Sequence, residues 1–195
     1  MGKIFYLMGK SSSGKDTIYN QLIQKDSLRL KKIVLYTTRP RRTGETNGVQ
    51  YYFVDDDTAI RLQQAGKVIE MRSYNTVYGE WKYFTVCDDQ IDLLNNDYLM
   101  IGTIESYLRT KEYFGTDQVV PIMIELDDGI RLQRALDREK CEPNPRYEEM
   151  CRRFLADSVD FSQDKKKEAG ITKEFYNQDL EQCLQEIEAY ILANK

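Results

Sequence analysis

The chain has no histidine. A Ser-His-Asp triad, a Cys-His pair and a His-ligated zinc or iron centre are excluded at once, so any catalysis must rest on other groups. Cysteine is scarce: Cys87, Cys141, Cys151 and Cys183 show no C-x-x-C spacing. The chain is too large and core-rich to need a disulfide framework, which leads us to expect free thiols in a reducing cytoplasm. Long hydrophobic runs are missing too. The apolar segment at the amino terminus gives way within a few residues to Lys10 and Ser11, too short for a signal peptide or a bilayer span, so no membrane partner is expected. With 28 basic against 32 acidic residues the formal charge is −4, which argues against a nucleic-acid partner but leaves room for a local basic pocket for a small anion. What remains is a 195-residue chain, 41% hydrophobic and 31% charged, long enough for one packed domain.

The order of patterns predicts an α/β fold. Ile4 to Met8 reads as a strand buried on both faces, and Ile18, Leu22 and Ile23 follow at helical spacing. A second apolar run, 33–36, leads into a turn-rich basic stretch that Pro40 keeps from being helical. Strands are expected at 49–54 and 81–87, with a helix at 58–65 ended by Gly66. Buried strands at 98–101 and 119–126, each followed by a helical pattern, give the alternation of a parallel sheet. Helices at 129–140 and 146–158 flank a break enforced by Pro143 and Pro145, a last strand falls within 171–176, and an amphipathic helix closes the chain at 180–192. The run 164–168 reads as a solvated charge cluster. The simplest architecture is a P-loop three-layer core with a parallel sheet (1–35, 87–128, 159–195), carrying a small mixed subdomain (36–86) and a helical lid (129–158).

Two motifs carry chemistry. Gly9, Lys10, Ser11, Ser12, Ser13, Gly14 and Lys15 match G-x-x-x-x-G-K between a predicted strand and a predicted helix. Glycines let the backbone curl so that successive N–H groups and the helix start face phosphate oxygens, and Lys15 adds a mobile charge. This stretch, through Asp16 and Thr17, is the candidate ATP site. The position after the lysine is usually a hydroxyl residue that ligates Mg²⁺; here it is Asp16, either a carboxylate ligand for the ion or a first-turn acid at the positive end of the helix. The second motif runs from Thr37 to Phe53, where Arg39, Arg41 and Arg42 crowd a Pro/Gly loop as an anion clamp to which Tyr51 can add a hydroxyl.

This stretch resembles the guanylate kinase signature T-R-x-x-R-x-G-E-x-x-G-x-x-Y-x-F, lying beyond a phosphate loop at the distance found in that family. The resemblance implies that Arg39, Arg42 and Tyr51 hold the acceptor monophosphate, that Glu70 reads the purine edge, and that Tyr78 gives a second phosphate contact. It also implies that Arg134, Arg138 and Arg153 belong to a mobile lid and that 177–180 is the family's late N-x-D-L pattern. Read without the motifs, Glu70 is an ordinary surface acid and the lid arginines pair with helix neighbours. The chain departs from the family where the base and metal are read. Ile101 and Thr103 stand where two acids are usual, and Leu35 and Glu80 stand where small hydroxyl residues are usual; Thr103 remains an acceptor-binding candidate. The expected activity is ATP-dependent phosphorylation of a nucleoside monophosphate, GMP first. Lys15, Arg39, Arg134, Arg138 and Arg153 would be the catalytic group, and Mg²⁺ would be held through Asp16. Alternatives are another phosphorylated acceptor, such as ribose 1,5-bisphosphate or a different nucleotide, and a non-catalytic binding module of the same family. The sequence does not specify an oligomeric state.

Overall fold

A computed structural model describes residues 1–42, 44–76 and 79–195. In chain order its elements are β1 (Ile4–Gly9), α1 (Lys15–Ile23), β2 (Leu30–Lys32), β3 (Tyr36–Thr37), β4 (Tyr52–Phe53), α2 (Asp56–Gln64), β5 (Val68–Thr76) and β6 (Gly79–Val86). They continue with β7 (Asp97–Gly102), α3 (Ile104–Phe114), β8 (Val119–Glu125), α4 (Asp128–Lys140), α5 (Tyr147–Asp160), α6 (Gln163–Glu168), β9 (Glu174–Tyr176) and α7 (Leu180–Ala193). Five strands in the order β2-β7-β1-β8-β9 form a parallel sheet, and β4-β3-β6-β5 form a second, mixed sheet. No described helix is long and apolar enough to cross a membrane.

The central strand explains the first apolar run. Along β1, Phe5 and Leu7 pack with Ile18 and Leu22 of α1 and with Leu184, Ile187 and Ile191 of α7. The alternate residues Ile4, Tyr6 and Met8 pack on the opposite face with Tyr98, Met100, Ile104 and Tyr107. A strand whose two faces both enter a core must be apolar throughout, as this one is. Parallel pairing brings the carboxyl ends of β1, β7 and β8 together: Met8 lies opposite Gly102, and Gly9 opposite Ile124. In open α/β sheets, ligands gather at that edge.

At four places the structure goes beyond or departs from the sequence patterns. The run at 33–36 is not one strand, because the backbone of Val34 pairs with the Gln90 side chain (Val34 N–H to Oε1, 2.7 Å; Gln90 Nε2 to the Val34 carbonyl, 3.2 Å) as the chain passes between sheets. The strand expected at 49–54 shrinks to Tyr52–Phe53, since Gly48 turns the chain at φ 79°. The long strand β5 had no sequence signal: its Ile69 and Glu70 are both buried, so apolar–polar alternation is lost. The charge run at 164–168 lies in helix α6, where Asp164, Lys167 and Glu168 are exposed as expected but Lys166 is buried, bonded to Glu125 (2.9 Å) and Glu174 (2.6 Å).

Candidate active site

The loop from Gly9 to Gly14 joins the end of β1 to the start of α1. Side chains cap α2, α3, α4, α6 and α7, but not α5 or α1, and α1 begins at Gly14 in a left-handed conformation (φ 89°). Its first N–H groups therefore stay available to an anion. Ser12 also has positive φ (63°), a strained conformation of the kind kept where a site requires it. Among the described residues, the only buried side-chain polar atoms without a hydrogen-bond partner are Ser12 Oγ and Ser13 Oγ. Buried hydroxyls are ordinarily satisfied, so an orphaned pair within one loop marks a place built for a polar ligand. Lys15 Nζ stands 3.6 Å from a carboxylate oxygen of Asp16, whose side chain is 81% exposed, and Thr17 is exposed beside it.

Residues to which the sequence assigned no part in the loop hold it in place. Asn177, at the end of β9 and 3% exposed, donates Nδ2 to the Ser13 carbonyl at 2.7 Å. Arg131 of α4 is buried and donates Nε to the Ser11 carbonyl at 2.9 Å, while the Asp157 carboxylate of α5 accepts the Ser11 N–H at 2.7 Å. Arg131 also bonds Asp157 at 3.0 Å and Asp128, which Lys10 meets at 3.2 Å. Burial alone would raise the Asp128 carboxyl, but hydrogen bonds from Arg131 and Lys10 hold it below the ordinary aspartate value. Asn177 was visible only within the late N-x-D-L pattern. Arg131, three residues after Asp128, reads in sequence as a surface pair.

The candidate lid arginines gather over the loop in part. Arg138, Arg153 and the unforeseen Arg146 line a cavity of about 110 Å³ together with Ser11 and Ser12. Arg134 lies close to Gly14: a Cβ built there would stand 3.8 Å from an Arg134 guanidinium nitrogen. Arg153 bonds its neighbour Glu149 at 2.8 Å, as the helix-pair reading anticipates, and hydrogen bonds from Arg152 and Arg153 lower the Glu149 carboxyl to about 2.

The second sheet carries the arginine cluster. Arg39 is buried and fixed by a two-pronged pair with Glu45 (3.0 and 2.7 Å), and its guanidinium lies 5.6 Å from the Tyr51 ring centroid and 5.4 Å from that of Phe53. The hydrogen bonds that Arg39 donates to Glu45 raise the Arg39 pKa and lower that of Glu45. Glu45 also accepts the Arg42 N–H at 2.7 Å, while the Arg42 side chain is exposed. Tyr51 is half-buried, and burial raises its hydroxyl pKa.

Glu70 departs from its surface reading: it is 5% exposed and already bonded, to Thr85 Oγ1 at 2.9 Å and to Arg72 Nε at 3.2 Å. Sequence reasoning missed Arg72 and Thr85, because only strand pairing, with Glu70 opposite Thr85, brings the three together. Burial, with the nearby Glu70 charge adding to it, pushes the hydroxyl of Tyr6 up to about 12. Thr103 caps α3, exchanging bonds with Ser106. Between β5 and α3 lies a cleft of about 670 Å³ lined by Arg72, Tyr74, Thr103, Glu105 and Lys165 among others. Ile101 packs half-buried against the first core, Leu35 is half-buried, and Glu80 is exposed. Tyr78 falls outside the described residues.

Comparison with known proteins adds sequence relationship to this geometry. Residues 1–86 match the guanylate kinase family model. A guanylate kinase from Anaplasma phagocytophilum (strain HZ) is 41% identical over 70 residues, covering 36% of this chain and 33% of that protein, so the match spans about a third of that relative. One from Caldanaerobacter subterraneus is 27% identical over 199 residues, covering 100% of this chain and 88% of the relative. The crystal structure of the guanylate kinase from Anaplasma phagocytophilum superposes with a TM-score of 0.68 at 21% identity, covering 98% of this chain and 85% of that one; this is a likeness of fold.

Proposed function

We propose that this chain, a divergent member of the guanylate kinase family, is a nucleoside monophosphate kinase that moves the γ-phosphoryl of ATP onto GMP. The observation carrying this reading is the pair of buried, partnerless hydroxyls, Ser12 and Ser13, in a glycine loop at an uncapped helix start. Polar atoms so placed are satisfied by a ligand with many acceptor oxygens, and a triphosphate is such a ligand.

Phosphoryl transfer asks the protein for alignment and positive charge rather than covalent chemistry, which suits a chain lacking histidine. In this reading the loop from Gly9 to Thr17 holds ATP, and Arg39, Arg42 and Tyr51 hold the acceptor phosphate, with Glu45 orienting the Arg39 fork. Lys15 and the lid arginines Arg134, Arg138 and Arg153 neutralise charge on the moving group, and the closed lid keeps water out. Arg146 joins them by its place over the loop. The acceptor oxygen is already anionic, so no general base is needed. Glu70, Thr103 and Tyr78 complete the acceptor side. Mg²⁺ fits at the start of α1, where the exposed carboxylate of Asp16 supplies the hard oxygen donor the ion prefers. When bound there, Mg²⁺ would supply positive charge to offset that of the phosphate groups. The working division is a core (1–35, 87–128, 159–195), an acceptor subdomain (36–86) and a lid (129–158). Four free cysteines fit a reducing cytoplasm.

A second reading has its own observation. The Glu70 carboxylate is already engaged by Arg72 and Thr85, and Arg72 lines the cleft beside it. An acceptor richer in oxygen acceptors than guanine, such as ribose 1,5-bisphosphate, suits a guanidinium at that wall. ADP release measured with Mg²⁺-ATP and, separately, GMP, dGMP, AMP, UMP, CMP and ribose 1,5-bisphosphate separates the readings. GMP as the fastest acceptor supports the first, the bisphosphate alone supports the second, and no ADP with any acceptor points to the non-catalytic module.

A further inference from the structure

The pair Arg131 and Asp157 does something the phosphate-binding residues do not. Arg131 is 1% exposed, yet its guanidinium meets three groups from separate parts of the chain: the Ser11 carbonyl (2.9 Å), Asp128 and Asp157 (3.0 Å). Its carbon lies 4.9 Å from the Phe154 ring centroid, so the charge is also covered by α5. Asp157 holds the same residue by its other backbone group, accepting the Ser11 N–H at 2.7 Å. One residue of the nucleotide loop is thus gripped at both its backbone donor and its backbone acceptor. The gripping groups come from α4 and α5, the two helices that carry Arg134, Arg138 and Arg153, with Arg146 just before the start of α5. A buried ion pair of this kind is weak support for stability, because apolar residues of similar volume commonly replace it at no loss. Its geometry points to a different service.

We propose that Arg131 and Asp157 are positioning residues that couple the lid helices to the nucleotide loop, so that the loop takes its phosphate-ready shape only while α4 and α5 are docked on Ser11. This rests on the proposed ATP site. Neither side chain needs to touch the nucleotide: the coupling passes through the Ser11 peptide to Ser12 and Ser13, whose hydroxyls are without partners. The pair therefore acts on one substrate and not on the other.

The test compares wild type with Asp157→Asn, Arg131→Lys and the double replacement Arg131→Met with Asp157→Leu. The double variant keeps the volume and removes both charges, so it folds even where a single truncation strands a buried charge. Amide hydrogen exchange of the ligand-free protein is read at residues 10–14, and KM for ATP and for GMP is read separately. The double variant is expected to raise loop exchange and to raise KM for ATP about tenfold or more, with KM for GMP within about twofold of wild type. Asp157→Asn, which keeps an acceptor for the Ser11 N–H, is expected to give the smallest change. Unchanged exchange at 10–14 in a folded double variant overturns the coupling, whatever the activity. So does an equal rise in both KM values, which marks a general structural role. Raised loop exchange in a protein whose wild type turns over no ATP leaves the clamp standing and removes the kinase reading instead.

Discussion

Replacing Asn177 by Ala removes the Nδ2 donor that meets the buried Ser13 carbonyl at 2.7 Å. A buried acceptor left unpaired costs about 1–3 kcal/mol. For a chain of this size that is a fall in melting temperature of about 2–4 °C per kcal/mol. Where the same bond shapes the loop, the loss appears again in ATP affinity, at about tenfold per 1.4 kcal/mol. Asn177→Asp is expected to weaken ATP further, since it sets a carboxylate against both the carbonyl and the triphosphate. Geometry supplies an internal control. A Cβ at Gly14 would stand 2.2 Å from Asn177 Nδ2, at φ +89°, so Gly14→Ala pays for a clash as well as for backbone strain. Removing the Asn177 side chain relieves the clash but not the strain. The double variant is therefore expected to lose less than the sum of the single ones, a coupling that a double-mutant cycle reads directly. Thermal melts and calorimetric titration with ATP are the assays. Strict additivity, or an Asn177→Ala protein with wild-type melting and ATP affinity, would refute the reasoning.

Lys166→Met strands the Glu125 and Glu174 carboxylates that share the buried ammonium, and breaking such a buried pair costs about 3–5 kcal/mol, visible in a thermal melt. Burial alone would lower the Lys166 pKa, but the hydrogen bonds it donates to Glu174 and Glu125 raise it above the ordinary 10.5. A raised lysine pKa stabilises the fold fully below that ordinary value and loses its contribution as pH climbs through the folded one. The melting gap between wild type and Lys166→Met should accordingly hold from neutral pH to near 10.5 and narrow only above it; a gap that closes below pH 9 would contradict this. Arg39→Lys keeps the charge but loses the fork held by Glu45, so KM for the acceptor should rise about tenfold or more while KM for ATP stays put, in steady-state kinetics varying each substrate in turn.

Periodicity and punctuation made the core legible. The β1 run, the two later buried strands and the closing helix are local patterns, and the loop at Gly9–Lys15 declares itself by composition and position. The second sheet was harder to foresee because its strands owe their existence to partners. Tyr36–Thr37 is a two-residue strand made by β4 and β6, and β5 hides a Glu70–Arg72 pair inside what reads as polar surface. Lys166 was misjudged for a similar reason: Glu125 on β8 is 41 residues away, and only the pairing of β8 with β9 sets Glu174 beside it. The loop's supports, Arg131, Asp157 and Asn177, are up to 164 residues from the atoms they hold, a separation at which no spacing rule speaks. Sequence thus named the candidate phosphate-binding groups, while the groups that hold the loop required the fold.

Titration with one molecule joining adenosine and guanosine through a pentaphosphate tests most directly whether the glycine-built and arginine-built pockets face each other. One linked molecule per chain should bind more tightly than ATP or GMP alone, and Lys15→Met and Arg39→Lys should each weaken it. A linked compound no tighter than its separate halves, or one indifferent to Arg39, would mean that the two pockets do not share a phosphate.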